Sequence, residues 1–167
     1  MDYTVRPART SDVRAIRRLV DANVGSGRLL DKATVTLYED IQEFLVADRA
    51  SDGLVIGCGA LHVMWEDLAE IRTIAVDASC QREGVGHLLA EALLGRAREL
   101  GVSRVFVLTF AVKFFGRHGF EEISGDAASP EVYAELLRSY DEGVAEFLDL
   151  DRVKPNTLGN TRMLLRL

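Results

Sequence analysis

The stretch Gln81-Arg82-Glu83-Gly84-Val85-Gly86 decides the fold, because it joins the pattern of a buried strand to that of an amphipathic helix. Upstream, residues 70–77 are rich in β-branched side chains and predict a strand. Downstream, apolar residues recur at three- and four-residue spacing from Val85 to Leu100, and Gly101 ends the pattern. A helix of about four turns therefore begins on a glycine-containing loop.

A loop of this kind is suited to bind an anion. The first N–H groups of a helix lack intrahelical acceptors, the helix dipole is positive there, and glycine lets a ligand approach the backbone closely. A dinucleotide-binding fingerprint needs glycine or alanine at position 89, where this chain has Leu89, and the sequence has no Gly-Lys-Ser/Thr of a P-loop. The loop therefore predicts a phosphate-containing ligand of another class.

Length and composition predict one globular domain. The chain has 167 residues, of which 48 % are hydrophobic and 28 % charged, enough to bury a core. No stretch approaches the length of a membrane span, and the N-terminus lacks a signal-peptide layout, so we expect a cytoplasmic protein without a membrane partner. A net charge of −6 with no basic run disfavours nucleic acid as a partner.

The cysteines predict neither a metal site nor a disulfide. Cys58 and Cys80 are the two in the chain, and they lack the paired spacing of a zinc or iron–sulfur site. A disulfide between them is disfavoured in a reducing cytoplasm. We therefore expect no metal and two partly buried thiols.

The other patterns predict a mixed sheet with helices on its faces. Pro7 puts the first strand at an edge of the sheet, and the turn-rich residues 48–53 predict a hairpin. Strands are predicted at residues 4–9, 43–47, 54–63, 70–76, 104–109, 147–150 and 161–167. Helices are predicted from Val13 to near residues 25–27, at 85–100 and at 130–140. A further helical stretch follows residues 28–32, and its apolar residues do not fix its bounds.

The surroundings of the loop resemble the Gcn5-related N-acetyltransferase (GNAT) superfamily. Its coenzyme A loop has the form Gln-x-x-Gly-x-Gly, and residues 113–120, Lys-Phe-Phe-Gly-Arg-His-Gly-Phe, are similar to its Phe-Tyr-x-x-x-Gly-Phe segment. The resemblance implies an α/β (α+β) fold: one N-acetyltransferase domain over residues 1–167, with a mixed, mostly antiparallel sheet of about six to seven strands and helices on both faces. It also implies acetyl-CoA as the co-substrate.

The same resemblance implies roles for individual residues. Glu70 matches the place of a glutamate general base, although a solvated strand-end glutamate is the alternative. Phe115 stands where many relatives have a tyrosine general acid, so either another group such as Tyr140 protonates the thiolate or it leaves without help. The implied cofactor-binding residues are Ile74, Ala75 and Val76 at the thioester, Arg82, Gly84, Val85, Gly86, His87 and Leu88 at the pyrophosphate, and Phe114 and Phe115.

A narrower resemblance concerns the amine that receives the acetyl group. Gly57–Leu61, Glu70, Leu108 and residues 114–120 are similar to the acetyltransferase domain of bacterial N-acetylglutamate synthases, above all the short actinobacterial type. This implies direct attack by the α-amino group of L-glutamate in a ternary complex, as the first step of arginine biosynthesis, and L-glutamine fits nearly the same slot. The amino-acid-kinase-like domain of longer synthases is not expected, so arginine feedback through it is not carried over.

A glutamate acceptor needs cationic donors for two carboxylates. Alternation puts Glu70 and Arg72 on the same side of an unbroken strand, which a bulge would change. For each single cation, a solvated surface charge is the alternative. The candidate substrate-binding residues are Arg28, Lys32, Arg72, Leu108, Lys113 and Arg162.

Two other functions fit the same sequence. The chain could acetylate another amine, such as a protein N-terminus, a polyamine or a drug. It could also be a non-catalytic acetyl-CoA-binding sensor, a class to which the missing tyrosine at position 115 gives weight. The sequence leaves a homodimer possible.

Overall fold

The structure, a computed structural model, describes residues 2–24, 33–125, 127–153 and 157–167. Within these residues the strands are β1 (Tyr3–Pro7), β2 (Phe44–Arg49), β3 (Val55–Trp65), β4 (Leu68–Val76), β5 (Arg104–Thr109), β6 (Glu121–Glu122) and β7 (Thr161–Arg166). The α-helices of the same residues are α1 (Val13–Val24), α2 (Thr34–Glu39), α3 (Val85–Leu100), α4 (Val112–Gly116), α5 (Pro130–Leu136) and α6 (Glu142–Phe147).

The seven strands form a mixed sheet in the order β1-β2-β3-β4-β5-β7-β6. Strand β4 pairs in parallel with β5, whereas the pairs β1–β2, β2–β3, β5–β7 and β6–β7 are antiparallel. The predicted α/β class and the mixed, mostly antiparallel sheet are thus confirmed. Pro7 lies in the terminal strand, as predicted, where a residue without an N–H is tolerated.

The chain forms two compact units, residues 1–62 with 71–100 and residues 63–70 with 101–167. In the first unit, one face of α1 packs on β2 and β3. The buried residues of this core include Ile16 and Val20 of α1 and Val46 of β2. Helix α3 packs closely on β3: if residue 59 had a Cβ atom, that atom would lie only 2.9 Å from Leu93 Cδ1. Glycine in β3 therefore sets how near the helix comes to the sheet.

The second unit has its own hydrophobic core. Phe106 of β5 and Phe147 of α6 are fully buried, and their rings pack edge to face with centroids 4.9 Å apart. Around them lie Met64, Leu68, Leu136, Val144, Leu148 and Leu164. Helices α5 and α6 thus bury their apolar side chains in the core to which β4, β5 and β7 contribute.

The prediction of a strand at residues 147–150 was wrong. Phe147 is the last residue of α6, and Asp141 caps that helix by accepting a hydrogen bond from the Val144 N–H at 3.0 Å. An acidic cap six residues before Phe147 is a helix-start signal, and the short apolar run alone does not distinguish a buried helix from a strand. The short strand β6 was not predicted, and α5 ends at Leu136 rather than near Tyr140.

Two properties of the described residues concern membrane spans and metal ligands. None of their helices combines the length and apolar composition needed to cross a bilayer. Nor do they contain a group of three or more histidine, cysteine, aspartate or glutamate side chains that could hold a metal ion.

Candidate active site

Strand β4 is irregular at Thr73, whose φ of 61° lies in the left-handed region. This conformation is a genuine outlier for a β-branched residue and costs roughly 1–3 kcal/mol, so the surrounding structure must hold it. The buried Cys58 thiol donates a hydrogen bond to the Thr73 carbonyl at 3.6 Å, and burial raises the pKa of this thiol to about 12. The irregularity begins one residue after Arg72 and precedes the three predicted thioester-binding residues, Ile74–Val76.

A capped turn leads from β4 into the loop at residues 81–86, for which the sequence predicts cofactor binding and which is called the cofactor loop below. Asp77 accepts hydrogen bonds from the backbone N–H and the hydroxyl of Ser79, at 2.9 Å and 2.7 Å, and these bonds hold the pKa of its carboxyl below the usual range. The chain then passes through Arg82 and Gly84, with φ of 68° and 87°. Two left-handed residues around Glu83 give the loop a tight course that glycine and a few other residues tolerate.

Helix α3 begins at Val85, directly after this loop, and runs for 16 residues. Val85 is buried, Gly86 and His87 are half-buried, and Leu88 is exposed. The Leu88 N–H donates to the Gly84 carbonyl at 3.1 Å and so closes the first helical turn. The N–H groups before it have no acceptor within the helix, a geometry suited to bind the oxygens of a phosphate group.

Glu70 lies in the part of β4 that pairs with β5, directly beside Phe106 in the parallel register. Its side chain is only 4 % exposed, and it takes part in polar interactions. A solvated strand-end glutamate, the alternative weighed from the sequence, is therefore wrong. A buried carboxylate next to an aromatic side chain is an arrangement suited to a general base.

The aromatic segment forms α4 and the turn after it. Phe115 is buried, and its ring packs edge to face against Phe114 and Phe120, with centroids 4.9 Å and 5.3 Å away. Phe114 is half-buried and its ring centroid lies 5.3 Å from that of His118. Position 115 is thus a core position of α4.

The predicted acceptor cations differ in their surroundings. Arg28 and Lys32 lie outside the described residues. Lys113 is exposed on α4, Leu108 is half-buried on β5, and Arg72 is half-buried on β4. Arg72 makes polar interactions, and one atom of its guanidinium, Nη2, is buried without a hydrogen bond.

Arg162 of β7 is directed at backbone carbonyls. Its Nε donates to Gly125 at 3.2 Å, its Nη1 to Glu146 at 3.5 Å and its Nη2 to Phe147 at 2.7 Å. The guanidinium also lies over the rings of Phe106 and Phe147, 4.9 Å and 5.7 Å from their centroids. These contacts give Arg162 a structural task that its sequence position did not indicate.

The sequence also failed to indicate a carboxylate–imidazole pair in the first unit. Nδ1 of His62 lies 2.7 Å from Oε1 and 3.0 Å from Oε2 of Glu43, and both side chains are half-buried. The antiparallel pairing of β2 with β3, with Phe44 opposite Ala60, brings them together. The two residues are 19 positions apart, so only the register of the hairpin could have revealed the pair.

Comparison with known proteins identifies the family. Residues 17–120 match the model of the acetyltransferase (GNAT) family. The amino-acid acetyltransferase of Mycobacterium tuberculosis is 59 % identical over 162 residues, which are 96 % of this chain and 92 % of that protein. The amino-acid acetyltransferase of Pasteurella multocida is 32 % identical over 71 % of this chain but only 27 % of its own length.

Solved structures agree with this assignment. A Mycobacterium tuberculosis protein crystallised in complex with CoA and a second ligand, NLQ, superposes with a TM-score of 0.96 at 59 % identity, covering 98 % of this chain and 99 % of that one. N-acetylglutamate synthase from Neisseria gonorrhoeae shares the fold, with a TM-score of 0.78 at 24 % identity over 35 % of its chain. The chain therefore belongs to the acetyltransferase (GNAT) family and is an acyltransferase that depends on acetyl-CoA.

Proposed function

We propose that this chain transfers the acetyl group of acetyl-CoA to the α-amino group of L-glutamate, the first step of arginine biosynthesis, with L-glutamine as the closest alternative acceptor. The observation that carries the proposal is the likeness to the mycobacterial amino-acid acetyltransferase, which extends over nearly the whole of both chains at 59 % identity. The protein acts as one domain in the cytoplasm, with a small-molecule acceptor and without nucleic acid or membrane as partner.

The cofactor loop binds the pyrophosphate of acetyl-CoA. Its donors are the backbone N–H groups at the start of α3 and the Arg82 side chain, and the left-handed φ of Gly84 keeps the loop open to the ligand. The residues assigned here are Arg82, Gly84, Val85, Gly86, His87 and Leu88. In a protein of net charge −6, a local positive site of this kind attracts the anionic cofactor.

The chemistry is direct attack of the amine on the thioester. Glu70 takes the proton of the ammonium group, directly or through a water molecule, and the amine nitrogen then bonds to the carbonyl carbon. N–H groups of Ile74–Val76 stabilise the oxyanion. The left-handed backbone at Thr73, directly before these residues, supports this role because it interrupts the regular course of β4 there. The C–S bond then breaks, CoA leaves with the electron pair, and the second proton of the amine nitrogen passes to the thiolate or to water, which gives the amide.

The leaving thiolate needs no tyrosine in this proposal. Phe115 has no hydroxyl and is buried among Phe114 and Phe120. The half-buried Phe114, with Phe115 packed against it, is the apolar contact that we assign to the cofactor. Tyr140, the alternative acid, is 100 % exposed, which argues against a role at a shielded sulfur. A thiol has a modest pKa, and the thiolate can therefore leave near neutral pH.

For the acceptor carboxylates we favour Arg72 among the described cations. It is half-buried and follows Glu70 by two residues on β4, and a guanidinium binds a carboxylate through two parallel hydrogen bonds. Lys113 is exposed and remains a second donor, with Leu108 as an apolar contact. Arg28 and Lys32 keep their sequence-based assignment.

The test is the initial rate of thiol release from acetyl-CoA with a panel of amino acids, polyamines and N-terminal peptides. We expect turnover selective for glutamate or glutamine, and a raised acceptor KM in Arg72→Ala. Arg166→Ala, on the exposed end of β7, is the matched control. Preference for a polyamine or a peptide would refute the acceptor, and tight acetyl-CoA binding without turnover on any amine would support the sensor function instead.

A further inference from the structure

We propose that Arg162 is a positioning residue for the acceptor: it fixes α6 and the Phe147 ring against β5, beside Glu70, and does not itself bind the acceptor. The sequence had suggested Arg162 as a ligand of the substrate carboxylate. This inference rests on the proposed transfer of acetyl to an amino acid and names a residue that shapes the same site.

The strand register brings the relevant side chains to one face of the second unit. Glu70 pairs with Phe106 in the parallel pair, Phe106 pairs with Leu164, and Leu108 pairs with Arg162. Directly paired residues project from the same face, as do residues two apart on one strand. Glu70, Phe106 and Arg162 therefore belong to one face, and α6 lies on it through the contact between Phe106 and Phe147.

Helix α6 depends on contacts of this kind because it has only six residues. A helix so short is not stable alone, and its last carbonyls lack intrahelical donors. Arg162 donates to the Phe147 carbonyl at 2.7 Å and to the Glu146 carbonyl, which also accepts the Asp149 N–H, at 3.5 Å. The negative end of the helix also favours a cation there. Its third contact, to the Gly125 carbonyl, ties in the segment before α5.

The same contacts explain why Arg162 is not an acceptor ligand. Each of its three side-chain nitrogens already donates to a backbone carbonyl, and the plane of the guanidinium is held over two aromatic rings. Turning it toward a substrate carboxylate would break these bonds and take from the carbonyl of the fully buried Phe147 the donor that Arg162 supplies. Its effect on the acceptor therefore passes through Phe147, which covers the face beside Glu70.

The experiment compares Arg162→Lys, Phe147→Ala and the double variant, with Arg166→Lys as the matched control on the same strand. Lysine keeps the charge but loses the fork of donors. We expect Arg162→Lys to raise the acceptor KM about tenfold, the effect of one lost charge-assisted hydrogen bond. The KM for acetyl-CoA should stay unchanged, and the double variant should be no worse than Phe147→Ala.

Three acceptors separate positioning from direct binding: glutamate, glutamine and isoglutamine, which lacks the free α-carboxylate. Positioning predicts the same factor for all three. A loss that disappears when one carboxylate is replaced by an amide, or effects that multiply in the double variant, would overturn the proposal and make Arg162 a ligand.

Amide hydrogen exchange of the protein without substrate gives an independent readout. We expect residues 144–150 to exchange faster in Arg162→Lys and at the wild-type rate in Arg166→Lys. Unchanged protection in Arg162→Lys would contradict the anchoring role. If the wild type acetylates no amino acid, the proposed function fails, whereas the exchange result still decides whether Arg162 holds α6.

Discussion

Replacing Gly59 by alanine tests how closely α3, the helix that follows the cofactor loop, must approach the sheet. A Cβ at this position would lie 2.9 Å from Leu93 Cδ1 and 3.2 Å from Ile74 Cγ1, whereas carbon atoms pack best at about 3.5–4.0 Å. Leu93 is fully buried, so its side chain has little room to retreat. Both contacts must open by several tenths of an ångström.

The expected loss of stability follows from two opposing effects. Overpacking a core by one methyl group costs typically about 1–3 kcal/mol, while removing a glycine from a strand returns about 0.5–1 kcal/mol. The net loss is about 1–2 kcal/mol, which lowers the Tm of a domain of this size by roughly 3–6 °C. Helix α3 carries the cofactor loop, so the KM for acetyl-CoA should rise as well.

Thermal unfolding followed by circular dichroism measures the first effect, and Gly95→Ala is the matched control. Gly95 also lies in α3, but a Cβ there would meet no atom within 4 Å. This substitution should raise the Tm, because alanine favours a helix interior by about 1 kcal/mol over glycine. The reasoning is refuted if Gly59→Ala is as stable as the wild type, or if it is stabilised as Gly95→Ala is.

Three further predictions concern charge and titration. Arg6 hydrogen-bonds Asp12 and holds the pKa of its carboxyl below the usual range, so this stabilisation is present above about pH 4 and is lost as the pH falls further. Asp12→Asn should therefore flatten the fall of Tm in acid, and parallel curves for the two proteins would contradict this. Burial raises the pKa of Cys58 to about 12, so at pH 8 about one part in ten thousand of this thiol is thiolate. A thiol reagent should therefore leave Cys58 unmodified in the folded protein. Rapid labelling of Cys58 would be evidence against the buried thiol. Arg82→Gly keeps the left-handed backbone of the loop while removing the charge, so the Tm should not fall. The KM for acetyl-CoA should rise about fivefold, for an interaction worth about 1 kcal/mol. Arg82→Lys is the control, and an unchanged KM in Arg82→Gly would remove Arg82 from the pyrophosphate site.

The features predicted correctly from the sequence are those with local causes. Helix α3 has the predicted bounds, Val85–Leu100, because its apolar spacing is regular and Gly101 adopts the positive φ, 85°, of a helix stop. Strand β5 also matches its prediction, Arg104–Thr109, since a β-branched apolar run between turn residues has one common structure.

The features that the sequence did not indicate depend on distant parts of the chain. The apolar residues around Phe147 fit a strand or a buried helix equally well. In the structure they form a helix whose Phe147 ring packs against Phe106, 41 positions away in the sequence. The left-handed backbone of Thr73 has no local sequence signal, because threonine is common in regular strands. The contacts that hold this conformation, including the hydrogen bond from Cys58, come from other parts of the chain. Arg162 looked like a surface or substrate cation since its acceptors lie 15 to 37 positions upstream.

The most direct test of acetyl transfer to an amino acid is to identify the product. The purified chain is mixed with acetyl-CoA and ¹⁵N-labelled glutamate, or glutamine, and the α-nitrogen is followed by NMR while free thiol is counted. We predict one α-N-acetyl product for each CoA released, and a rate about 10²–10⁴-fold lower in Glu70→Gln that recovers at high pH, where the amine is already neutral. Thiol release without an acetylated α-nitrogen, or binding of acetyl-CoA with no product from either amino acid, would contradict the proposed function.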